Sequence, residues 1–514
     1  MQNFFLITAN MMALSGLQHC GILTARAFSS SPTAPFSVLH HLRPISSSKK
    51  IVCTCHQKQI SPRQQLSTDG PSGSDTAFYD VVIVGGGMAG GALACALGNE
   101  AVLADKKILL LDRAKRPSKL TRENLGSDYS NRVCALNSQS KKLLSEIGAW
   151  SAIENLRCKP FHRMQVWDAC SDSMITFNHP DLVQELAYIV ENDVTVSALT
   201  EQLNTLHNVE VKYETGLSNL KLPMVGRMDQ NSWVNLTLKD RSNVTTRLVV
   251  GADGANSEIR KYGGFGVTRW TYDQSAVVAT LHLAEETENH VAWQRFLPTG
   301  PIAMLPLNGS QSSLVWSTSH EAAKKLVLMS DDDFVEAVNH AFWDDSHHVA
   351  SLDVVSQIFG DFLKVLQPDD SSSVRQLPPS VSGIQTGSRA KFPLGLGHAM
   401  HYVKPRIALV GDAAHRVHPL AGQGINLGFG DVVCLKEVIV QSALRGEDLG
   451  SIGSLTEYET QRQRHVVPVM MVIDALKRLY STTNPAAVFA RSLGLQATNA
   501  LKPLKEALIG SASR

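Results

Sequence analysis

Residues 79–98, YDVVIVGGGMAGGALACALG, decide the fold of this chain. Residues 79–84 form a continuous, β-branched run, which is typical of a strand buried on both faces. Residues 85–90 then supply a Gly-x-Gly-x-x-Gly turn, and residues 92–97 begin a helix. This order predicts the first part of a βαβ unit, and with it a parallel sheet.

The three motif glycines predict a site for a dinucleotide. Gly85 permits the tight turn, Gly87 lets the backbone approach a pyrophosphate, and Gly90 allows close packing of helix on strand. The N-terminus of the helix offers free N–H groups and the positive end of its dipole to the phosphates. The alternative is a glycine-rich turn that binds no ligand, and the motif alone does not distinguish FAD from NAD.

The second strand of the unit ends on an acid. Residues 108–112 read ILLLD, so Asp112 follows a buried apolar run. An acid about 20 residues beyond the glycines accepts hydrogen bonds from the ribose hydroxyls of a dinucleotide. Asp112 is therefore a predicted cofactor-binding residue.

A second motif, GADGANSEIR at residues 251–260, follows another apolar run. Asp253 stands there between small residues. Its carboxylate could bind a polar edge of a cofactor, or it could cap a helix running from Ala255 towards Arg260. The sequence leaves these two interpretations open.

A third motif, GDAAHRVHPLAGQGINLG, occupies residues 411–428. Its two histidines, His415 and His418, raise the possibility of a metal site. Zinc requires three or four ligands, and Pro419 disfavours a helix at His418, so the histidines need not share a face. A backbone cradle for a large polar cofactor is the favoured interpretation, and the roles of the histidines stay open.

Composition narrows the function class. A length of 514 residues predicts two closely joined domains. The 48 basic and 47 acidic residues leave no electrostatic footprint for nucleic acid. The eight cysteines show no CxxC or disulfide-framework spacing, which fits a reducing compartment.

Residues 1–68 contain no Asp or Glu, and they carry scattered Lys, Arg and Ser. This composition predicts a cleaved mitochondrial transit region, with a merely disordered N-terminus as the alternative. The uncharged run at residues 81–98 has six glycines and is better explained by the nucleotide-binding unit than by a membrane span. Any membrane contact is therefore expected to be peripheral.

The hydrophobic pattern changes after the first unit. Residues 209–213, 233–238 and 275–318 alternate between apolar and polar side chains, which predicts a separate, mainly antiparallel sheet. Residues 458–479 predict a long helix that Pro468 should kink or split.

The three motifs, in this order and separation, resemble those of the flavin-dependent aromatic monooxygenases of the p-hydroxybenzoate hydroxylase type, over about residues 78–510. Further stretches resemble the mitochondrial ubiquinone-biosynthesis hydroxylases within that superfamily. These stretches are SNRVCAL at 130–136, LAYIVENDVTVSAL at 186–199, QRFLPTGPIAMLPL at 294–307, and the tail with Arg462, Asp474 and RSLGL at 491–495.

The resemblance implies an α/β fold: an FAD-binding Rossmann-like domain, an antiparallel β-sheet substrate domain and C-terminal helices. The expected segments are a transit region and linker (1–75), the first part of the FAD-binding domain with some substrate-domain strands inserted (76–265), the substrate domain (266–400), the second part of the FAD-binding domain (401–445) and a C-terminal helical region (446–514).

The resemblance also implies which residues bind FAD. Asp412 would hydrogen-bond the ribityl chain, and N–H groups at the start of the following helix would meet the N1–C2=O edge of the flavin, where reduced flavin is negatively charged. Asp253 would serve both FAD and the reductant. The implied cofactor-binding residues are Gly85, Gly87, Gly90, Asp112, Arg132, Asp253, Gly411, Asp412, Gly424, Ile425 and Asn426.

The implied reaction is hydroxylation at C5 of a polyprenylated 4-hydroxybenzoate-type ring with O₂, within a ubiquinone-biosynthesis complex on the matrix side of the inner mitochondrial membrane. The resemblance implies a ferredoxin system or NAD(P)H as the electron donor. The sequence leaves both open, since it has one Gly-x-Gly-x-x-Gly motif and no second dinucleotide fold. No catalytic base and no metal are predicted. The alternatives are a flavin monooxygenase of another aromatic or isoprenoid substrate, and a non-catalytic prenyl-binding scaffold.

Overall fold

The computed structural model describes residues 76–171, 173–178, 184–223, 233–348, 376–419 and 422–500. The expected transit region and linker at residues 1–75 lie outside the described residues, as do residues 501–514 of the expected C-terminal helical region.

The described residues form twenty strands and ten helices. The strands are β1 (Ala77–Val84), β2 (Ile108–Leu111), β3 (Val133–Leu136), β4 (Lys159–Phe161), β5 (Arg163–Asp168), β6 (Met174–Asn178), β7 (Ala187–Glu191), β8 (Val209–Lys212), β9 (Leu217–Lys221), β10 (Val234–Leu238), β11 (Asn243–Gly251), β12 (Val267–Leu283), β13 (Val291–Leu297), β14 (Gly300–Pro306), β15 (Gln311–Ser319), β16 (Val381–Ile384), β17 (Ala390–Ala399), β18 (Val403–Lys404), β19 (Ile407–Leu409) and β20 (His415–Arg416). The helices are α1 (Met88–Gly98), α2 (Ser138–Glu146), α3 (Trp150–Leu156), α4 (Asn192–Leu203), α5 (Glu258–Tyr262), α6 (His320–Leu328), α7 (Asp331–Trp343), α8 (Gly424–Leu444), α9 (Ile452–Tyr480) and α10 (Pro485–Ala500).

The first sheet has a parallel core in the order β19-β11-β1-β2-β8, and α1 packs against both α4 and α8 beside it. Val84 is in register with Leu111 on one side and Gly251 on the other, and Gly251 is in register with Leu409. The carboxyl ends of β1, β2, β11 and β19 therefore meet at one edge, which is where ligands bind in open parallel sheets.

Two strands that the alternation of apolar and polar residues assigned to a separate sheet, β8 and β10, lie in the first sheet. Residues 209–213 were expected in a separate antiparallel sheet, but β8 pairs in parallel with β2 at the edge of the first sheet. β10 is antiparallel as expected, yet it also belongs to the first sheet, through β11. Glu210 is exposed while Val209 is buried, as on many edge strands. The alternation of apolar and polar residues indicates which side chains face solvent. It does not indicate whether a strand pairs in parallel or antiparallel with its neighbour.

The second sheet, in the order β20-β17-β12-β15-β14-β13-β5-β6, is antiparallel except for the pair β13–β5. It contains residues 275–318, as predicted. Helices α6 and α7 pack on one of its cores, and α9 contributes Ile473 and Tyr480 to another. Strand β20 lies within the third motif and pairs with β17, so this motif joins the two sheets.

Helix α9 continues through Pro468 for 29 residues, so of the two predicted effects of the proline, a kink or a split, the split does not occur. An interior proline costs a helix roughly 3 kcal/mol through its missing N–H group and its steric clash. Val466, Met470 and Ile473, on either side of Pro468, are all buried. Tertiary packing of this kind stabilises most helices in proteins, and it offsets the local cost here.

A buried ion pair attaches α10 to the second sheet. Arg491 Nε lies 2.7 Å from Asp168 Oδ2 and its Nη2 lies 3.0 Å from Oδ1, and both side chains are almost completely buried. Tyr480, whose ring stacks on Phe296 at a centroid distance of 3.9 Å, lies under the guanidinium.

We expect Asp168→Asn to lower the free energy of unfolding by about 2–3 kcal/mol, because the buried Arg491 would lose its charged partner. Urea denaturation of the purified chain measures this. Asp105→Asn is the control, since Asp105 is exposed and its pair with Lys106 should not contribute measurably to stability. Equal stability of the two variants would contradict the prediction.

Candidate active site

The first glycine turn is shaped by contacts within the protein. Gly85 has φ of +111°, and a Cβ there would lie 2.4 Å from the carbonyl oxygen of Ala252. A Cβ on Gly90 would lie 1.8 Å from the carbonyl oxygen of Gly85. Only glycine fits at these two positions, because any side chain would collide with main-chain atoms.

Gly87 differs from its two neighbours in the motif. A Cβ there would have no atom of the described residues within 4 Å, so the space in front of Gly87 is open to that part of the chain. Gly87 is also the N-cap of α1, which has no side-chain cap and no acid in its first turn. The open space and the uncapped N–H groups fit an anionic group such as a pyrophosphate.

Asp112 is held beside this turn. Its Oδ2 accepts a hydrogen bond from Gly86 N at 3.1 Å, and its Oδ1 accepts one from Ala114 N at 2.9 Å. An ionised carboxylate has about four acceptor positions, so two remain for ribose hydroxyls. Arg132 lies just before β3, and its side chain is exposed.

Asp253 adds to the capping of α5, whose N-cap residue is Ser257, and helix capping was one of its two predicted roles. Its Oδ2 accepts hydrogen bonds from Glu258 N at 2.6 Å and from Ile259 N at 3.2 Å, at the start of α5. Its Oδ1 is buried and accepts no hydrogen bond from the residues that the structure describes. Capping therefore leaves one oxygen for a ligand, and the two roles are compatible.

We expect Asp253→Ala to lower the stability of the FAD-free protein by about 1 kcal/mol, because α5 would lose a cap. A contact with the cofactor alone could not produce this effect in the absence of FAD. Denaturation of the FAD-free protein measures it. Asp253→Asn keeps an acceptor oxygen and should retain most of the stability. An alanine variant as stable as the wild type would refute the capping role.

The third motif begins with a tight turn after β19. Gly411 has φ of +59°, and residues Gly411–Ala413 form a single 3₁₀ turn. Arg260, on α5, donates from Nη1 to the carbonyl oxygen of Ala413 at 2.7 Å. The side chain of Asp412 is exposed, yet desolvation by the surrounding protein raises its pKa. Exposure combined with desolvation is expected at a concave binding surface.

The N-terminus of α8 supplies further donors. The N–H groups of Gly424, Ile425 and Asn426 are in the first turn of the helix, where no carbonyl of the helix can accept them. The Asn426 side chain is engaged elsewhere: Oδ1 accepts from Ser140 Oγ at 2.7 Å, and Nδ2 donates to Ala135 O at 3.0 Å. Only the backbone N–H of Asn426 is therefore left for a ligand.

The two histidines of the motif have different partners. His415 is buried, and its Nε2 lies 2.6 Å from Asp431 Oδ2. The ring of His418 packs edge-on against Tyr272, at a centroid distance of 5.2 Å. Burial, reinforced by Lys477, lowers the pKa of His418 to about 4, so this ring is neutral at physiological pH.

Sequence reasoning missed Asp431 and Arg260. Asp431 is fully buried, and it binds the third motif at Gly411 as well as at His415. A signal for it exists in the sequence, because Asp431 is the single Asp, Glu, Lys or Arg between Arg416 and Lys436, in a mostly apolar helix. An isolated charge in such a stretch is almost never buried without a partner.

The structure brings the predicted residues together at the carboxyl edge of the first sheet. Gly85 lies against Ala252, and a Cβ on Gly411 would contact Ala89 of α1 at 3.4 Å. Gly428 of α8 packs on the Cα of Gly411, and Asn426 ties α8 to β3, which follows Arg132.

Sequence comparison now supplies the family. Residues 78–358 and 383–472 match the FAD binding domain family. The chain is 52% identical over 445 residues to the ubiquinone biosynthesis monooxygenase COQ6, mitochondrial, of Danio rerio, covering 86% of this chain and 91% of that protein. The protein of the same name in Homo sapiens is 52% identical over 446 residues, covering 86% and 94%. The chain belongs to the FAD binding domain family and, within it, to the family of these ubiquinone biosynthesis monooxygenases.

Solved structures share the fold. PqsL of Pseudomonas aeruginosa in complex with 2-aminobenzoylacetate matches with a TM-score of 0.58 and 20% identity, covering 81% of this chain and all of that one. The p-nitrophenol 4-monooxygenase PnpA of Pseudomonas putida DLL-E4 matches with a TM-score of 0.59 and 16% identity, covering 85% and 99%.

The chain is therefore an FAD-dependent aromatic monooxygenase of ubiquinone biosynthesis, and the predicted fold class, cofactor and enzyme class are confirmed. The relatives from Danio rerio and Homo sapiens are both named as mitochondrial proteins. Among the described residues, no helix is both long enough and apolar enough to cross a bilayer.

Proposed function

We propose that this enzyme hydroxylates C5 of a polyprenylated 4-hydroxybenzoate-type ring, with FAD held by the eleven predicted residues. The observation that carries the proposal is the meeting of the three motifs at one sheet edge, around the open space at Gly87. In the reaction, one atom of O₂ enters the ring in place of hydrogen. The other leaves as water, after two electrons and two protons are supplied.

FAD supplies the oxygen chemistry when it is bound, and the chain positions the groups around it. The N–H groups at the start of α8 are suited to stabilise negative charge on one flavin edge. In the same motif, the neutral His418 packs edge-on against Tyr272 of β12.

Tyr272 is not suited to deprotonate a phenol. Its hydroxyl donates to Asp474 Oδ1 at 3.0 Å, and burial together with this contact raises the pKa of Tyr272. Because Tyr272 stays protonated at physiological pH, it can position a substrate but cannot accept a proton from it. No catalytic base is assigned.

The remaining partners and boundaries belong to the same proposal. The electron donor is a ferredoxin system or NAD(P)H, and the enzyme acts within a biosynthetic complex, peripheral to the matrix side of the inner mitochondrial membrane. The proposed segments are 1–75, 76–265, 266–400, 401–445 and 446–514. Strand β20 does not follow these boundaries. It lies in segment 401–445 of the FAD-binding domain, yet it pairs with β17 of the second sheet.

One experiment tests the substrate assignment. The purified chain is loaded with FAD, and oxygen uptake is followed with a polyprenylated 4-hydroxybenzoate-type acid, a soluble phenol and squalene, each with NADPH or with a ferredoxin and its reductase. Mass spectrometry and NMR locate the new hydroxyl group. Product hydroxylated at C5 of the prenylated ring supports the proposal. Turnover of only the soluble phenol or squalene overturns it, as does bound flavin without turnover of any substrate.

A further inference from the structure

Asp431 lies at the centre of a buried polar network beneath the third motif. Its side chain is 0% exposed. Oδ2 accepts hydrogen bonds from Gly411 N at 2.8 Å and lies 2.6 Å from His415 Nε2, while Oδ1 lies 2.7 Å from Arg462 Nε. The carboxylate thus contacts Gly411 at the start of the turn, His415 just after it and Arg462 of helix α9.

Other contacts also restrict the turn that Asp431 holds. Gly411 is in the left-handed region, between Ala89 of α1 and Gly428 of α8. On its other side, Arg260 holds the carbonyl oxygen of Ala413. Asp431 therefore holds the segment that presents Asp412 at Gly411 and His415, and Arg260 holds it between them, at Ala413.

Arg462 connects this turn to α9. Its Nη2 donates to the carbonyl oxygen of Leu427 at 2.9 Å, in addition to the contact with Asp431. A Cβ on Gly430 would lie 2.7 Å from the guanidinium, so glycine at 430 makes room for the arginine. Arg462 thereby contacts two successive turns of α8 from a helix outside both sheets.

Stability alone is a poor explanation for this network. Removing two charges from water often costs more than their attraction returns, so apolar residues of the same volume can be as stable. Burial would raise the pKa of Asp431, but His415 and Arg462 hold it below its usual value, so the carboxylate is ionised. An ionised acceptor fixes the Gly411 N–H more firmly than a neutral one.

We propose that Asp431 is a positioning residue of the flavin site, through which Arg462 of α9 fixes the turn that carries Asp412. The proposal rests on FAD lying at Gly411 and Asp412, as put forward above. It extends the site to α9, in the segment expected to be a separate C-terminal region.

The chain contains a matched control for the experiment. Asp168 and Arg491 form an equally buried pair of the same residue types, at the contact between α10 and β5. Asp431→Asn and Asp168→Asn make the same chemical change, and both should lower the unfolding temperature. Because loss of a charge-assisted hydrogen bond costs about a factor of ten or more, the Kd for FAD should rise about tenfold in Asp431→Asn alone.

The test measures FAD affinity by flavin fluorescence, and the visible spectrum and reduction potential of bound FAD, at a temperature where all variants are folded. A weaker affinity and a shifted potential in Asp431→Asn, with Asp168→Asn unchanged, support the proposal. Equal effects in both variants, or an effect in neither, overturn it. Should Asp431→Asn not fold, Arg462→Lys replaces it, with a smaller effect in the same direction.

Asp412→Ala separates failure of the positioning role from failure of the proposed site. If Asp412→Ala weakens FAD binding and Asp431→Asn does not, the positioning role is wrong and the site stands. If neither variant changes FAD binding, the flavin does not depend on this turn, and the placement of FAD at Gly411 and Asp412 falls with the positioning role.

Discussion

Gly87→Val should abolish FAD binding while the chain still folds. A Cβ at this position would meet no atom of the described residues within 4 Å, but valine would occupy the space in which the backbone must approach a pyrophosphate. Loss of two charge-assisted hydrogen bonds of about 1.5–3 kcal/mol each weakens binding by about 100-fold or more. Valine is also a poor N-cap, which costs the fold only about 1 kcal/mol.

Flavin absorbance after purification, and titration of the FAD-free protein with FAD, measure this effect. The control is Gly383→Val, where a Cβ would meet only His282, at an ordinary 3.8 Å, and valine suits a strand. Full flavin occupancy in Gly87→Val would show that the pyrophosphate does not lie in front of this turn. A collapsed far-UV CD spectrum would show that Gly87 serves the fold instead.

The parts of the site that could be predicted are those set by local chain chemistry. The apolar runs before Gly85, Gly251 and Gly411 predict buried strands, and the glycines after them predict turns that approach a ligand. Because parallel strands align their carboxyl ends, three motifs far apart in sequence could be expected at one edge. The parallel sheet followed from the same runs, whereas the full fold class was implied by the resemblance to the flavin-dependent aromatic monooxygenases.

The parts that could not be predicted depend on tertiary contacts. β8 alternates because it is an edge strand, and alternation carries no information on strand direction. Asp253 could cap or bind, and only the position of α5 shows that it caps. The role of His415 needed Asp431, 16 residues away along the chain, and that of Asp431 needed Arg462 on a third element.

Gly90→Ala should destabilise the fold more than any other change considered for this chain. Alanine is the best helix former, so an exposed helix would gain about 1 kcal/mol from this substitution. Here its Cβ would lie 1.8 Å from the carbonyl oxygen of Gly85, far inside any real contact, and 3.0 Å from the Cβ of Ala252. Neither the turn nor β11 can move away, because both belong to the parallel core.

We therefore expect Gly90→Ala to cost on the order of 4 kcal/mol or more, as for severe overpacking against main-chain atoms. Urea denaturation of the FAD-free protein measures it, so that loss of cofactor does not contribute. Gly91→Ala, one residue further along α1, is the matched control: its Cβ would meet Leu199 at an ordinary 3.5 Å, and the variant should be as stable as the wild type or slightly more so. Equal stability of the two variants would mean that the turn and α1 can separate. In that case, another contact than the close approach of Gly90 to Gly85 would hold α1 against the end of β1. The phosphate-binding geometry at Gly87 would then depend on that other contact.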